Sequence, residues 1–361
     1  MMPIHNAENE RLKRDYFQYL KEARRYSEAS LDGVAKGLHR FESYTRFKPF
    51  KAFHIQQAIG FKAHLQEQVN QRTKDRLSKA TLNSTLCALR AFFIWLAGRP
   101  GFKARLTYAD ADYFNLSEKD ARVAKASRPQ KAPTLEQVQH VIVGMPSETP
   151  IQKRDRAVVA FTILTGARDG AIASFSIKHV NMAERVVVQD AREVRTKFSK
   201  TFSTWFFPVG EEFVAILSDW IDYLVREELW GPDDPLFPST KVRHDGEQKF
   251  QAVGLDRKPW SNATPIRRVF KQAFEAAGLP YANPHSFRNT LAALGQRVCR
   301  TPEELKAWSQ NLGHEEVLTT LTSYGEVAPQ RQADLIRGLN RSEEDDERAL
   351  RIGRQIMALR A

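Results

Sequence analysis

The first hundred positions carry apolar residues at helical spacing almost without interruption. "RDYFQYLKEARRY", "ASLDGVAKGLHRFESYTRF", "AFHIQQAIGFKAHLQEQVNQ" and "SKATLNSTLCALRAFFIWLAG" each return an apolar side chain every three or four residues. In the last of these, Leu82, Leu86, Leu89, Phe92, Phe93 and Leu96 form the stripe, with Ser78 or Thr81 available as the cap and Gly98 as the stop. The pattern lapses over 117–133, "SEKDARVAKASRPQKAP", a polar, basic, proline-containing stretch that reads as a linker. A second domain opens with the helix "TLEQVQHVIVGM", where Thr134 caps and Gln137 lies three residues on.

From 155 the order is helix, strands, then helices. "DRAVVAFTILTGARDGAIASF" is helical with a break at Gly166, and "ERVVVQDAREVR" and "TFSTWFFPV" are strands joined by a short basic connection. "EEFVAILSDWIDYLVREEL" is an amphipathic helix and "GPDDPLFPS" a loop. "TPIRRVFKQAFEAAG" is expected to start with Thr264 as cap and Pro265 at the first helical position. "TPEELKAWSQNLG" repeats that grammar, with a capping box of Thr301, Pro302 and Glu304 and a stop at Gly313. The fold class expected is mostly α with a small β-sheet.

Length and composition narrow this further. A chain of 361 residues suggests two domains, and 42% hydrophobic with 27% charged residues suffices for buried cores. No apolar run approaches the ~18 to 20 residues of a membrane span, and "MMPIHNAENERLKRDY" lacks a signal-peptide core. Two cysteines, Cys87 and Cys299, give neither a disulfide framework nor a Cys-rich zinc site. A cytoplasmic protein without a membrane partner is the expectation.

The net charge of +12 is unevenly spread. Residues 1–125 hold 23 Lys+Arg against 13 Asp+Glu, a net of +10, whereas 126–324 hold 25 against 23 and 325–361 hold 7 against 7. A basic domain joined to a near-neutral one suits a polyanion, most simply nucleic acid. Within it, the face of the fourth helix opposite the apolar stripe offers Lys79, Asn83 and Arg90 for phosphate contacts.

The chemistry on offer is cationic. The chain has no G-x-x-x-x-G-K loop, no G-x-G-x-x-G and no HExxH, and its carboxylates show no metal-site spacing, so a two-metal nuclease has little support. Charge in a phosphoryl transition state would fall to side-chain cations. Arg168 breaks an apolar run in "ILTGARDGA", and Lys197 and Lys200 lie in the strand connection "RTKFSKTF". In "NPHSFRNT", His285 and Arg288 share the first turn of a helix, where an anion also meets unpaired backbone N–H groups. His314 follows the helix-ending Gly313, and Tyr324 lies ten residues beyond it.

Taken in order, these motifs resemble the catalytic domain of the tyrosine recombinases, or phage-type integrases, over about residues 134–325. "LSKATLNSTLCALRAFFIWLAG" looks like the end of that family's SAM-like core-binding domain. The resemblance implies an N-terminal all-α SAM-like domain over 10–116, the linker, an α+β catalytic domain over 134–325, and a C-terminal helical tail over 326–361 that docks in trans. It implies that Arg168 and Arg288 hold the scissile phosphate and that His285 and His314 hydrogen-bond it. Lys200 would protonate the departing 5′-oxygen, being eight residues before Pro208, with Lys197 as the substitute. Tyr324 would be the nucleophile of a 3′-phosphotyrosyl intermediate.

The implied activity is site-specific recombination of double-stranded DNA, as in the integrase of a mobile element. It would proceed through a Holliday junction in a homo-tetramer, with accessory proteins as further partners and no metal, ATP or other cofactor. The protein would be nucleoid-associated when bound. Alternatives are DNA relaxation of the type IB topoisomerase kind and a non-catalytic DNA-binding protein that kept the fold. Three positions depart from the family pattern: Ala171 stands where an acidic residue is usual, Asn289 where histidine is common, and the His314–Tyr324 spacing is ten rather than nine.

Overall fold

A computed structural model describes residues 5–70, 74–125, 132–196, 200–244 and 250–314. The chain divides into two compact units at Ser127/Arg128.

The first unit is helical. Helices α1 (Ala7–Glu22), α2 (Glu28–Tyr44), α3 (Ile55–Glu67) and α4 (Lys79–Ala97) surround an aromatic core. Phe41 meets Phe61, Phe93 and Phe114 edge-on at 5.2, 5.5 and 5.5 Å, the geometry that ring quadrupoles favour. Ser78 is the α4 cap, accepting from the Thr81 N–H, and Gly98 ends the helix. By length and composition α4 is apolar enough to cross a membrane, which the sequence reading did not anticipate. Its whole expected stripe is instead buried in the core of this unit. Residues expected to be linker form another helix, α5 (Glu118–Lys125), tied to α4 by an ion pair between Lys79 and Asp120 at 2.9 Å.

The second unit is built around α7 (Pro150–Thr165), buried on every side from Ala157 to Thr165. A helix apolar all round must lie inside a layered core. Around it pack α6 (Leu135–Gly144), α9 (Glu211–Arg226), α10 (Thr264–Ala276), α11 (Pro284–Val298) and α12 (Pro302–Asn311). The capping boxes at Thr134 and Thr301 form as their sequences require. At α10 the expectation fails by one residue. Thr264 lies inside the helix, its N–H satisfied by Asn262 Oδ1 at 2.9 Å, and Ala263 occupies the cap position without a side-chain bond.

Two small antiparallel sheets complete the unit. Strands β1 (Val180–Asn181), β2 (Val186–Gln189) and β3 (Phe202–Trp205) lie in the order β1-β2-β3. The strand read from "ERVVVQDAREVR" ends early because the chain turns at Asp190, whose carbonyl accepts from the Glu193 and Val194 N–H groups. The hairpin β4 (Pro238–His244) and β5 (Phe250–Pro259) was not expected at all. Its strands intersperse Lys, Arg, Gly and Pro among the apolar residues, and its register slips twice, which blurs any alternation.

Candidate active site

Arg288 organises the site. Asn283 caps α11, its side chain accepting from the Ser286 N–H, and Pro284 starts the helix. That start places Arg288 in the second turn, facing inward and only 3% exposed. A buried guanidinium needs acceptors. Arg288 has the Gly166 carbonyl at 2.5 Å, the Leu312 carbonyl at 2.6 Å and His314 Nε2 at 2.9 Å. His285, three residues earlier, stays exposed at the helix start.

The Gly166 carbonyl is available because α7 ends there in a left-handed turn, with φ +60°. A Cβ at Gly166 would lie 2.9 Å from Leu312 Cδ2 and 3.0 Å from Leu291 Cδ1, so glycine is required for close approach as well as for φ. Two residues on, Arg168 occupies the N-cap position of the short helix α8 (Asp169–Ile172) and is half-buried.

His314 is reached from α12 through Leu312 and Gly313, the latter at φ +69°. A guanidinium can only donate, so His314 Nε2 must accept and the ring proton resides on Nδ1. Burial, first, and then the positive charges of Arg288, Arg168 and His285 push the His314 pKa down from its ordinary 6.5 to about 4. The imidazole is therefore neutral at pH 7. The same dependence places Arg168, His285 and Arg288 within electrostatic reach of one ring.

Lys200, half-buried, lies two residues before the start of β3. Two contacts, one at each end of β3, bring the strand to the end of α12 and the His314 turn. A Cβ on Gly313 would sit 2.7 Å from Phe202 Cζ, so the Phe202 ring lies directly against this glycine. Asn311 at the end of α12 pairs with the edge of β3 as another strand would: its Oδ1 accepts from the Trp205 N–H at 2.8 Å and its Nδ2 donates to the Trp205 carbonyl at 2.9 Å.

Of the six expected catalytic residues, Arg288 and His314 are in direct contact, and the charges of Arg168 and His285 act on the His314 ring. Lys197 and Tyr324 lie outside the described residues. Of the departures, Ala171 is buried in the core and Asn289 is half-buried beside Arg288 in sequence. The neighbouring carboxylate of Asp169 is engaged by Arg267 Nε at 2.7 Å. Sequence reasoning saw Gly166 only as a helix break and missed Asn311 altogether. A glycine two residues before an arginine was a usable signal; Asn311 gave none, because its partner is a backbone edge 106 residues away.

In the first unit, the surface expected to meet phosphates carries its own counter-charges. Lys79 pairs with Asp120, and Arg90 makes a fork on Asp112 Oδ1 at 3.0 and 2.8 Å. Asn83 Oδ1 accepts a long contact from Cys87 Sγ at 3.9 Å. Among the described residues no cluster of His, Cys, Asp and Glu could hold a metal ion.

Comparisons with known proteins agree with this architecture. Residues 14–99 match the phage integrase N-terminal SAM-like domain. Tyrosine recombinase XerC of Xylella fastidiosa is 24% identical over 317 residues, covering 86% of this chain and 90% of that protein. Tyrosine recombinase XerC 1 of Ralstonia nicotianae is 24% identical over 268 residues, covering 71% and 72%. Among solved structures, a lambda integrase dimer bound to a COC' core site superposes with a TM-score of 0.60 at 15% identity, covering 88% of this chain and 77% of that one. Residues 134–331, more than half of the chain, match the phage integrase family itself, and the protein therefore belongs to that family as a tyrosine recombinase, a DNA strand transferase.

Proposed function

We propose that this protein is a site-specific recombinase that cuts and rejoins double-stranded DNA through Tyr324. The observation that carries the reading is the bond between Arg288 and His314, with the charges of Arg168 and His285 also acting on the His314 ring. Two guanidiniums and two imidazoles in one electrostatic neighbourhood suit the non-bridging oxygens of a phosphodiester. The basic first third of the chain supports DNA as the partner, as does the core-site DNA held by the lambda integrase dimer.

In the proposed step the Tyr324 phenol loses its proton and its oxygen attacks phosphorus. The bond from phosphorus to the 5′-oxygen breaks, and the Lys200 ammonium supplies a proton to that leaving oxygen. A phenol with an ordinary pKa near ~10 is only about 0.1% ionised at pH 7. The surrounding cations favour the phenolate and stabilise charge on phosphorus. His314 is a poor base when its pKa is about 4 and its Nε2 is bonded to Arg288, which leaves His285 to take the phenol proton. The 3′-phosphotyrosyl bond keeps the energy of the broken linkage, so rejoining needs no ATP. By likeness to the family, four protomers would act on two duplexes through a Holliday junction, with the residues after Tyr324 reaching a neighbour.

The test is a nicked suicide substrate bearing the protein's own recombination site, incubated in EDTA. Wild-type protein should give an SDS-resistant DNA adduct and Tyr324→Phe none. An adduct that persists in Tyr324→Phe removes Tyr324 as nucleophile.

A further inference from the structure

We infer that Arg195 is the positioning residue for the general-acid lysine: it clamps the root of the β2–β3 connection to the turn that carries Arg168. The inference rests on the proposal that a lysine of this connection protonates the leaving group.

Arg195 is itself exposed and lies five residues before Lys200, directly after the buried core residue Val194. Its guanidinium nevertheless reaches three backbone carbonyls: Ser261 at 2.6 Å, Trp260 at 2.6 Å and Ala173 at 3.1 Å. Its own N–H donates to Ser174 Oγ at 2.9 Å, and that hydroxyl in turn donates to the Ala171 carbonyl at 2.9 Å. Ala173 and Ser174 directly follow α8, whose N-cap is Arg168. Ser261 leads into α10, and α10 returns to α8 through Arg267 and Asp169 at 2.7 Å. One side chain therefore joins the lysine-bearing connection, the Arg168 turn and the start of α10 into a closed circuit. Nearer the strands, the Ala191 N–H donates to Thr201 Oγ1 at 3.1 Å.

Nη1 donates to the Ser261 carbonyl, and Nη2 to those of Trp260 and Ala173, so both arms of the planar fork are used. A lysine ammonium at the end of a stem offers no such fork and would hold only part of the set. The clamp touches no substrate; its effect would pass through where the lysine ammonium comes to rest relative to the phosphate that Arg168 holds. A displacement of about 1 Å at a reacting group costs on the order of 100-fold in rate.

The test compares ordinary nicked DNA with the same DNA carrying a 5′-bridging phosphorothiolate, whose sulfur leaves as a thiolate without taking a proton. On ordinary DNA, Arg195→Ala should cleave about 10- to 100-fold more slowly than wild type. On the phosphorothiolate it should recover to near the wild-type rate, with DNA affinity unchanged. Arg195→Lys should be intermediate. Equal losses on both substrates would overturn the inference, and so would no loss on either. Failure of both variants to keep a wild-type thermal transition would also overturn it, because the clamp would then serve the fold and not the lysine. Lys200→Ala and Lys197→Ala run alongside. If neither is rescued by sulfur, the general-acid reading itself fails; if one is rescued and Arg195→Ala is not, only the positioning role fails.

Discussion

Replacing Arg288 by methionine should unfold the catalytic unit more easily as well as stop the chemistry, because this guanidinium also ties three segments together. Methionine keeps much of the side-chain volume, so the cavity cost is small. What it removes are the donors to the Gly166 carbonyl, the Leu312 carbonyl and His314 Nε2. Each acceptor left unpaired in the interior costs about 1–3 kcal/mol. The three together would cost roughly 3–9 kcal/mol, and relief from burying a cation would return part of that. A net loss of about 2–5 kcal/mol is expected, a large share of the ~5–15 kcal/mol that holds a typical domain together.

Urea unfolding followed by tryptophan fluorescence reads this unit well, since five of the six tryptophans (Trp205, Trp220, Trp230, Trp260 and Trp308) lie in it and only Trp95 in the other. The midpoint should fall with little change in slope, the sign of lost stability at constant exposed area. Tyr324→Phe provides the control, inactive but with a wild-type midpoint. A loss below about 1 kcal/mol in Arg288→Met would refute the reasoning, because the three bonds could not then be made as described.

Three further expectations follow from the same geometry. By NMR the His314 ring should titrate near 4, and Arg288→Met should move it back toward 6.5. Because its folded value lies below its unfolded one, the unfolded chain binds the extra proton between those values. The stabilisation from a neutral His314 is thus complete above about 6.5 and is lost as pH falls toward 4. Gly166→Ala should destabilise by about 1–3 kcal/mol through its left-handed φ and the Leu312 and Leu291 methyls, measured as a lower urea midpoint. In the first unit, Lys79→Ala and Arg90→Ala should each lower the log–log salt slope of DNA binding by about 0.9 if these cations exchange their carboxylates for phosphates. An unchanged slope would mean that the Asp120 and Asp112 pairs persist in the complex.

Most helices were legible because each announces itself locally. The stripe Leu82–Leu96 on α4, the Thr134 and Thr301 capping boxes and the left-handed glycines at 166 and 313 all lie within a few residues of their cause. The α10 start was displaced by one residue because a second local signal, the Asn262 side chain, accepts from the Thr264 N–H itself and so places Thr264 within the first turn. The β4–β5 hairpin and the α5 helix escaped because polar, exposed elements leave weak periodicity.

The sequence by itself determined which groups this protein offers for the proposed chemistry: two arginines, two histidines, a lysine and a tyrosine in family order. It also determined the caps and turns that aim several of them. Only the tertiary structure decided that Arg288 lies inward, bonding carbonyls from two turns that are 122 and 24 residues away. It alone decided that His314 is an acceptor with its proton on Nδ1, and that Asn311 completes the edge of β3. The reason is physical. A side chain's identity and its helical phase are set by neighbours in the chain, whereas its protonation state and its partners depend on desolvation and on charges that folding brings from elsewhere.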